Sequence, residues 1–142
     1  MNGIKEILLS NSTWAKDIGL LIIRLGLGGI FIKHGFGKVI GGYENWRWIG
    51  SQMSNLGITF WPIFWGLCAA VSEFFGGIAL TLGLATRLAA FLISCVMLVA
   101  ILYHIGKGDE FSTLSHPLSL MFVFWGIIFA GGGRFSLDYF LR

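Results

Sequence analysis

Four stretches of the chain are almost continuously apolar. The first runs from Ile18 to about Ile40 and holds Arg24, Lys33, His34 and Lys38; the second, Trp61 to about Ala85, is broken only by Glu73. The third is Leu88 to Ile105, and the fourth, Pro117 to about Gly131, carries no charge. Each has roughly 15 to 25 residues, against the ~20 that a helix needs to cross the hydrocarbon layer of a membrane. Backbone polar groups can be satisfied there only by helices or closed barrels. None of the runs alternates strictly between apolar and polar residues, which argues against a barrel. The pattern predicts four transmembrane helices over about 18–40, 61–85, 88–105 and 117–131.

The connections set their arrangement. Gly83-Leu84-Ala85-Thr86-Arg87 joins the second and third runs, with Gly83 suited to a helix C-cap and Thr86 to an N-cap. A turn this short makes its helices antiparallel neighbours. Gly106 to His116 reads as a polar loop, with Pro117 in the first turn of the fourth helix. Between the first two runs, Trp46, Ile49, Met53 and Leu56 recur at spacings of three, four and three. The segment of about 44–56 is too short and polar to span, and reads as an amphipathic helix at the membrane interface or folded over the mouth of the bundle. The expectation is an all-α, up-down bundle of four transmembrane helices, a single integral membrane domain over 1–142, with an interfacial helix between the first two spans and both termini on one side.

Composition agrees. Of 142 residues, 56% are hydrophobic and 12% charged, and the mean hydropathy is +0.79. Soluble domains average about 25% charged residues. A soluble enzyme, a disordered chain and a nucleic-acid module are all poor fits. The net charge of +3 comes from ten scattered Lys and Arg residues with no run to follow phosphates, so no nucleic-acid partner is expected. Lys5, Lys16, Arg87, Arg134 and Arg142 fall on the terminal side, and Lys33, Lys38, Arg47 and Lys107 on the other. Counted by the positive-inside rule, this margin places the termini in the cytoplasm. The first apolar run has no small-x-small cleavage site and reads as a span rather than a secretory signal. Cys68 and Cys95, each inside an apolar run, read as packing residues.

Polar residues within the apolar runs are the candidates for chemistry, because an unpaired charge at the bilayer centre costs on the order of 3 kcal/mol or more. Depths counted from the helix ends predict that Arg24 pairs with Glu73. That pair reads either as a clamp fixing helix register or as a binding site or proton relay. Arg24, Phe31, His34 and Lys38 fall on one stripe of the first helix. On the second run, Gly66, Ala69, Ala70, Glu73, Gly76 and Gly77 form a small-residue face suited to close helix packing. His34, His104 and His116 converge in depth on the side away from the termini. Such histidines can shuttle protons or hydrogen-bond a quinone carbonyl, or simply face headgroups. No His/Glu pair has the helical spacing that builds a metal site, and none is expected.

Taken in order, the motifs resemble the DoxX family of small bacterial membrane proteins. Ile23-Arg24-Leu25, Gly28, Phe31, His34-Gly35 and Lys38 match its Arg-Leu … Phe-x-x-His-Gly-x-x-Lys pattern. Glu73, Gly76-Gly77, Gly83-Leu84 and Thr86-Arg87 match its Glu-x-x-Gly-Gly … Gly-Leu-x-Thr-Arg pattern. His104 followed by Gly108-Asp109-Glu110-Phe111, and Gly133-Arg134-Phe135-Ser136-Leu137-Asp138, are similar to its later segments. The resemblance covers about Leu20 to Leu141. It implies a four-helix protein of the bacterial cytoplasmic membrane, and carries over Arg24, His34, Lys38, Glu73 and His104 as a candidate site. Relatives include the small subunit of a thiosulfate:quinone oxidoreductase and proteins associated with thiol stress, so the family name transfers fold better than activity. Family members often carry an acidic residue entering the fourth helix, where this chain has His116-Pro117.

Two functions follow as expectations. One is a component of a membrane redox system that binds quinone or a similar apolar ligand in a polar pocket inside the bundle. Having no haem-attachment motif, flavin fold or iron–sulfur cysteine set, it would need a redox partner protein or a diffusible reductant. The other is a non-catalytic scaffold, partner-binding subunit or small-solute carrier. The glycine-rich faces leave both a monomer and a homo-oligomer open.

Overall fold

The computed structural model describes residues 12–142; Lys5, one of the terminal-side charges, lies outside them. Every regular element among the described residues is helical: α1 (Thr13–Ile40), α2 (Gly42–Ser51), a 3-10 turn (Gln52–Leu56), α3 (Pro62–Leu82), α4 (Thr86–Lys107), α5 (Phe111–Ala130) and the short α6 (Leu137–Phe140).

The helix ends have local causes. Pro62 opens α3, where its missing N–H would have no partner in any case. Gly83 ends α3 in the left-handed conformation, and its N–H returns to the Ala79 and Leu80 carbonyls. Thr86 is the first residue of α4 rather than its cap: both Asp138 carboxylate oxygens accept backbone N–H groups there, from Ala85 at 2.7 Å and Thr86 at 2.8 Å. The expected Gly106–His116 loop shrinks to Gly108–Glu110. Gly106 stays inside α4, and α5 begins at Phe111, so Pro117 sits within the helix. The expected 44–56 helix is an α-helix that tightens into a 3-10 turn at Gln52.

The long helices run antiparallel from one to the next. Between α1 and α3 the backbones touch: a Cβ on Gly35 would collide with the backbone of Glu73 and Phe74. Between α2 and α3 the approach is as close, with Gly50 against the Pro62 carbonyl and Gly66 against that of Trp46. The α4–α5 pair carries most of the core: Ala89, Ala90, Ile93, Met97 and Ile101 face Met121, Phe124 and Ile127. Phe31 of α1 closes the ring, edge-on to Phe124 at 5.2 Å.

Among the described residues, three helices, α3, α4 and α5, are long and apolar enough to cross a membrane. Only 33%, 33% and 22% of their most apolar stretches are buried within the protein. Phe75, Leu88, Phe91, Phe122 and Phe129 all point outward. Soluble proteins rarely expose apolar surface this continuous, so the outer face of the bundle is lipid-facing and the chain is a membrane protein.

Candidate functional site

The polar groups inside the bundle form two clusters at opposite ends. Arg24 is 1% exposed, and Glu73 equally so, but they do not pair. Arg24 Nη1 donates to the Gly132 carbonyl at 2.6 Å, and Nη2 to that of Phe135 at 2.7 Å. Glu73 Oε1 accepts from Lys38 Nζ at 2.6 Å. The expected Arg24–Glu73 pair fails because the ends of α1 and α3 are not level. Gly28 packs on Gly77 and Thr81, and Gly83 faces the Arg24 guanidinium, so the first turns of α1 overhang α3. Arg24 therefore meets the segment after α5. Gly35, seated on the Glu73–Phe74 backbone, brings Lys38 opposite Glu73. Along α1 the two clusters stand about 21 Å apart at 1.5 Å per residue.

The Lys38–Glu73 pair lies beside a cavity of about 560 Å3 between α2, the 3-10 turn, α3 and α4. Its walls are apolar: Trp48, Ile49, Met53 and Leu56 on one side, Trp65 and Ala69 on α3, and Val96, Val99 and Tyr103 on α4. Trp48 and Tyr103 meet edge to face at 6.1 Å across the space between α2 and α4. The Lys38 carbonyl accepts from Trp46 Nε1 at 2.8 Å and Asn45 Nδ2 at 3.3 Å, which ties α2 to the end of α1.

Lys38 and His104 line this cavity with hydrogen-bonding capacity to spare, as do the Tyr103 hydroxyl and the Gln52 amide oxygen. The Lys38 side chain is 30% exposed and that of Glu73 only 2%, so the ammonium lies between the buried carboxylate and the cavity. One of its three donors is spent on Glu73, and Glu73 Oε2 has no partner. His104 Nδ1 lies 2.7 Å from Asp109 Oδ2. A carboxylate there makes Nδ1 the donor, which leaves Nε2 of a neutral ring as an acceptor.

The structure brings Lys38, Glu73 and His104 toward one cavity, and leaves Arg24, His34 and His116 out of it. Arg24 belongs to the other end. His34 and His116 are exposed, and the three histidines form no shared cluster among the described residues. Cys95, expected to be packed, is exposed at the rim, while Cys68 is half-buried. Sequence reasoning missed Asp109, Trp48, Trp65 and Tyr103. Asp109 had a signal in Gly108, whose left-handed cap turns the chain back so that the Asp109 N–H reaches the His104 carbonyl at 3.1 Å.

At the Arg24 end, burial pushes the Asp138 carboxyl up. Hydrogen bonds from the Thr86 and Ala85 N–H groups, with the Arg142 charge, outweigh it and hold the group below its usual range.

No solved structure matches the chain significantly. It is 29% identical over 132 residues to inner membrane protein YqjF of Escherichia coli, covering 89% of this chain and 95% of that protein. It is 33% identical over 125 residues to an uncharacterized protein of Haemophilus influenzae, covering 84% of this chain and 87% of the other. The family model for DoxX matches residues 19–105, a span that contains Arg24, the Lys38–Glu73 pair, His104 and every wall of the cavity, and the chain belongs to the DoxX family.

Proposed function

We propose that the protein binds quinone, or an apolar ligand of the same build, in the cavity between α2, α3 and α4, as the membrane component of a redox system. The observation that carries this reading is an apolar space lined by a partly exposed ammonium, Lys38, and an imidazole, His104. A quinone presents that chemistry: an isoprenoid tail for Trp48, Met53 and Val96, and carbonyls that accept from an ammonium. Lys38 Nζ would hold one carbonyl, and the reduced ring's hydroxyl would donate to His104 Nε2. Glu73, buried behind Lys38, holds the ammonium in place. Reduction of the ring consumes two electrons and two protons. The electrons come from a partner protein or a diffusible reductant, and the protons exchange through the half-exposed Lys38 and His104.

In this reading α1 joins α3, α4 and α5 as a fourth span, with Lys38 met by Glu73 and Arg24 by the carbonyls after α5. The α2 helix with its 3-10 turn lies across one mouth of the bundle. The relative named as an inner membrane protein supports placement in the bacterial cytoplasmic membrane, and the terminal-side Lys and Arg residues favour cytoplasmic termini.

The test is a titration of the detergent-purified protein with a short-chain quinone, followed by quenching of Trp48 and Trp65 fluorescence, together with chromatographic analysis of quinone carried through purification. Saturable quenching that weakens at least tenfold in Lys38→Met, with the fold intact, supports the reading. No co-purified quinone and no quenching overturns it and leaves a non-catalytic membrane scaffold.

A further inference from the structure

A second cavity, of about 500 Å3, lies at the Arg24 end, enclosed by the α3–α4 turn, the end of α5 and the segment that follows it. Arg87, Arg134 and Arg142 line it together with Asp17 and Asp138. The carboxylates are already engaged with the backbone: Asp17 Oδ1 accepts the Arg134 N–H at 3.0 Å, and Asp138 caps α4. Among the described residues, none of the three guanidinium groups forms an ion pair. Arg87 makes one hydrogen bond, to the Phe129 carbonyl at 3.3 Å, which leaves most of its donors free.

Three guanidinium groups and two carboxylates line one cavity, and the carboxylates already accept backbone N–H groups, so the lining carries a net positive charge with no ion-paired guanidinium. We propose that this cavity binds a phosphate-bearing anionic group, supplied by the headgroup of an anionic membrane lipid. Guanidinium forks match phosphate oxygens two at a time. The lipid source follows from what surrounds the arginines. Phe129 is 83% exposed and Phe140 75%, with Leu141 beside it, so large apolar side chains stand unpartnered next to the cations. A free anion would have no use for them, whereas acyl chains would cover them while the phosphate enters the cavity. This site is separate from the Lys38–Glu73 cavity and does not depend on the quinone reading.

Thermal unfolding of the full chain in neutral detergent, with phosphatidylglycerol, phosphatidylcholine or inorganic phosphate added, tests it. Phosphatidylglycerol is expected to raise the midpoint saturably. The Arg87→Gln/Arg134→Gln double variant should need at least about tenfold more lipid for the same shift, and Arg47→Gln, at the other end of the molecule, should behave as wild type. Lipid extracted from purified wild type and identified by mass spectrometry gives a readout independent of the variants, with enrichment of anionic phospholipid expected. If inorganic phosphate alone reproduces the shift, the lipid source is overturned. No saturable shift with either anion, or an equal shift in the double variant, overturns the site.

Discussion

Replacing Arg24 with Met removes the tie between α1 and the segment after α5. Two hydrogen bonds to a charged donor are lost, each worth about 1.5–3 kcal/mol. They are not equal. The bond to Gly132 is fully buried, so its carbonyl would be left without any partner, while the Phe135 carbonyl is partly accessible and can turn to water. Arg24 Nε has no partner and contributes nothing, and Met avoids the cost of burying a guanidinium. The net loss is therefore nearer 3 kcal/mol than the sum, about a hundredfold in the local opening constant. Hydrogen exchange read by mass spectrometry should show faster exchange over 131–142, together with a lower unfolding midpoint in detergent. Arg24→Lys, which reaches one carbonyl, should recover about half. Quinone titration should be unaffected, since the cavity with Lys38 lies about 21 Å along α1. Unchanged exchange in that segment, or loss of ligand binding with the segment still protected, would refute the assignment of Arg24 to a structural tie.

Three further outcomes are expected. Lys38→Met should destabilise by about 3 kcal/mol, the low end for breaking a buried pair because Lys38 is partly exposed, and Lys38→Met/Glu73→Leu should regain most of it in a double-mutant cycle read by thermal unfolding. Gly50→Val should cost more than about 3 kcal/mol, beyond ordinary core overpacking because its Cβ meets the Pro62 and Gly66 backbone, and weaken quinone quenching, since α2 walls the cavity. Because the folded-state Asp138 carboxyl lies below its ordinary value of 3.8, its stabilisation is full above that pH and fades as the pH falls through the folded value, so the stability gap between wild type and Asp138→Ala should close under acid.

Periodicity alone marked the long helices, because their apolar runs are bounded by Gly83, Gly108 and Pro62. It misjudged the start of α5: Phe111 to His116 is polar enough to read as loop, yet it continues the helix past a proline. The Arg24–Glu73 error has one physical origin. Depth was counted from the helix ends, but Gly28 and Gly35 set the register, and they slide α1 past the end of α3. The same glycines, read as contacts rather than as spacers, would have put Lys38 against Glu73. The cavity was less legible still, since Trp48, Met53 and Tyr103 are an ordinary amphipathic face until α2 folds onto α3 through Gly50 and Gly66.

Arg24 and the N-terminus of α4 are both completed by residues from the far end of the chain. Gly132 and Phe135 satisfy the guanidinium, and Asp138 caps the helix that starts at Thr86. Synthesis proceeds from the N-terminus, so each waits for more than fifty residues of later chain with its polar groups unserved. The segment from Gly132 to Asp138 thus acts as a keystone: until it arrives, these polar groups have no partner. A ribosome product stopped at Ala130 would leave the Arg24 guanidinium without either of its carbonyl partners.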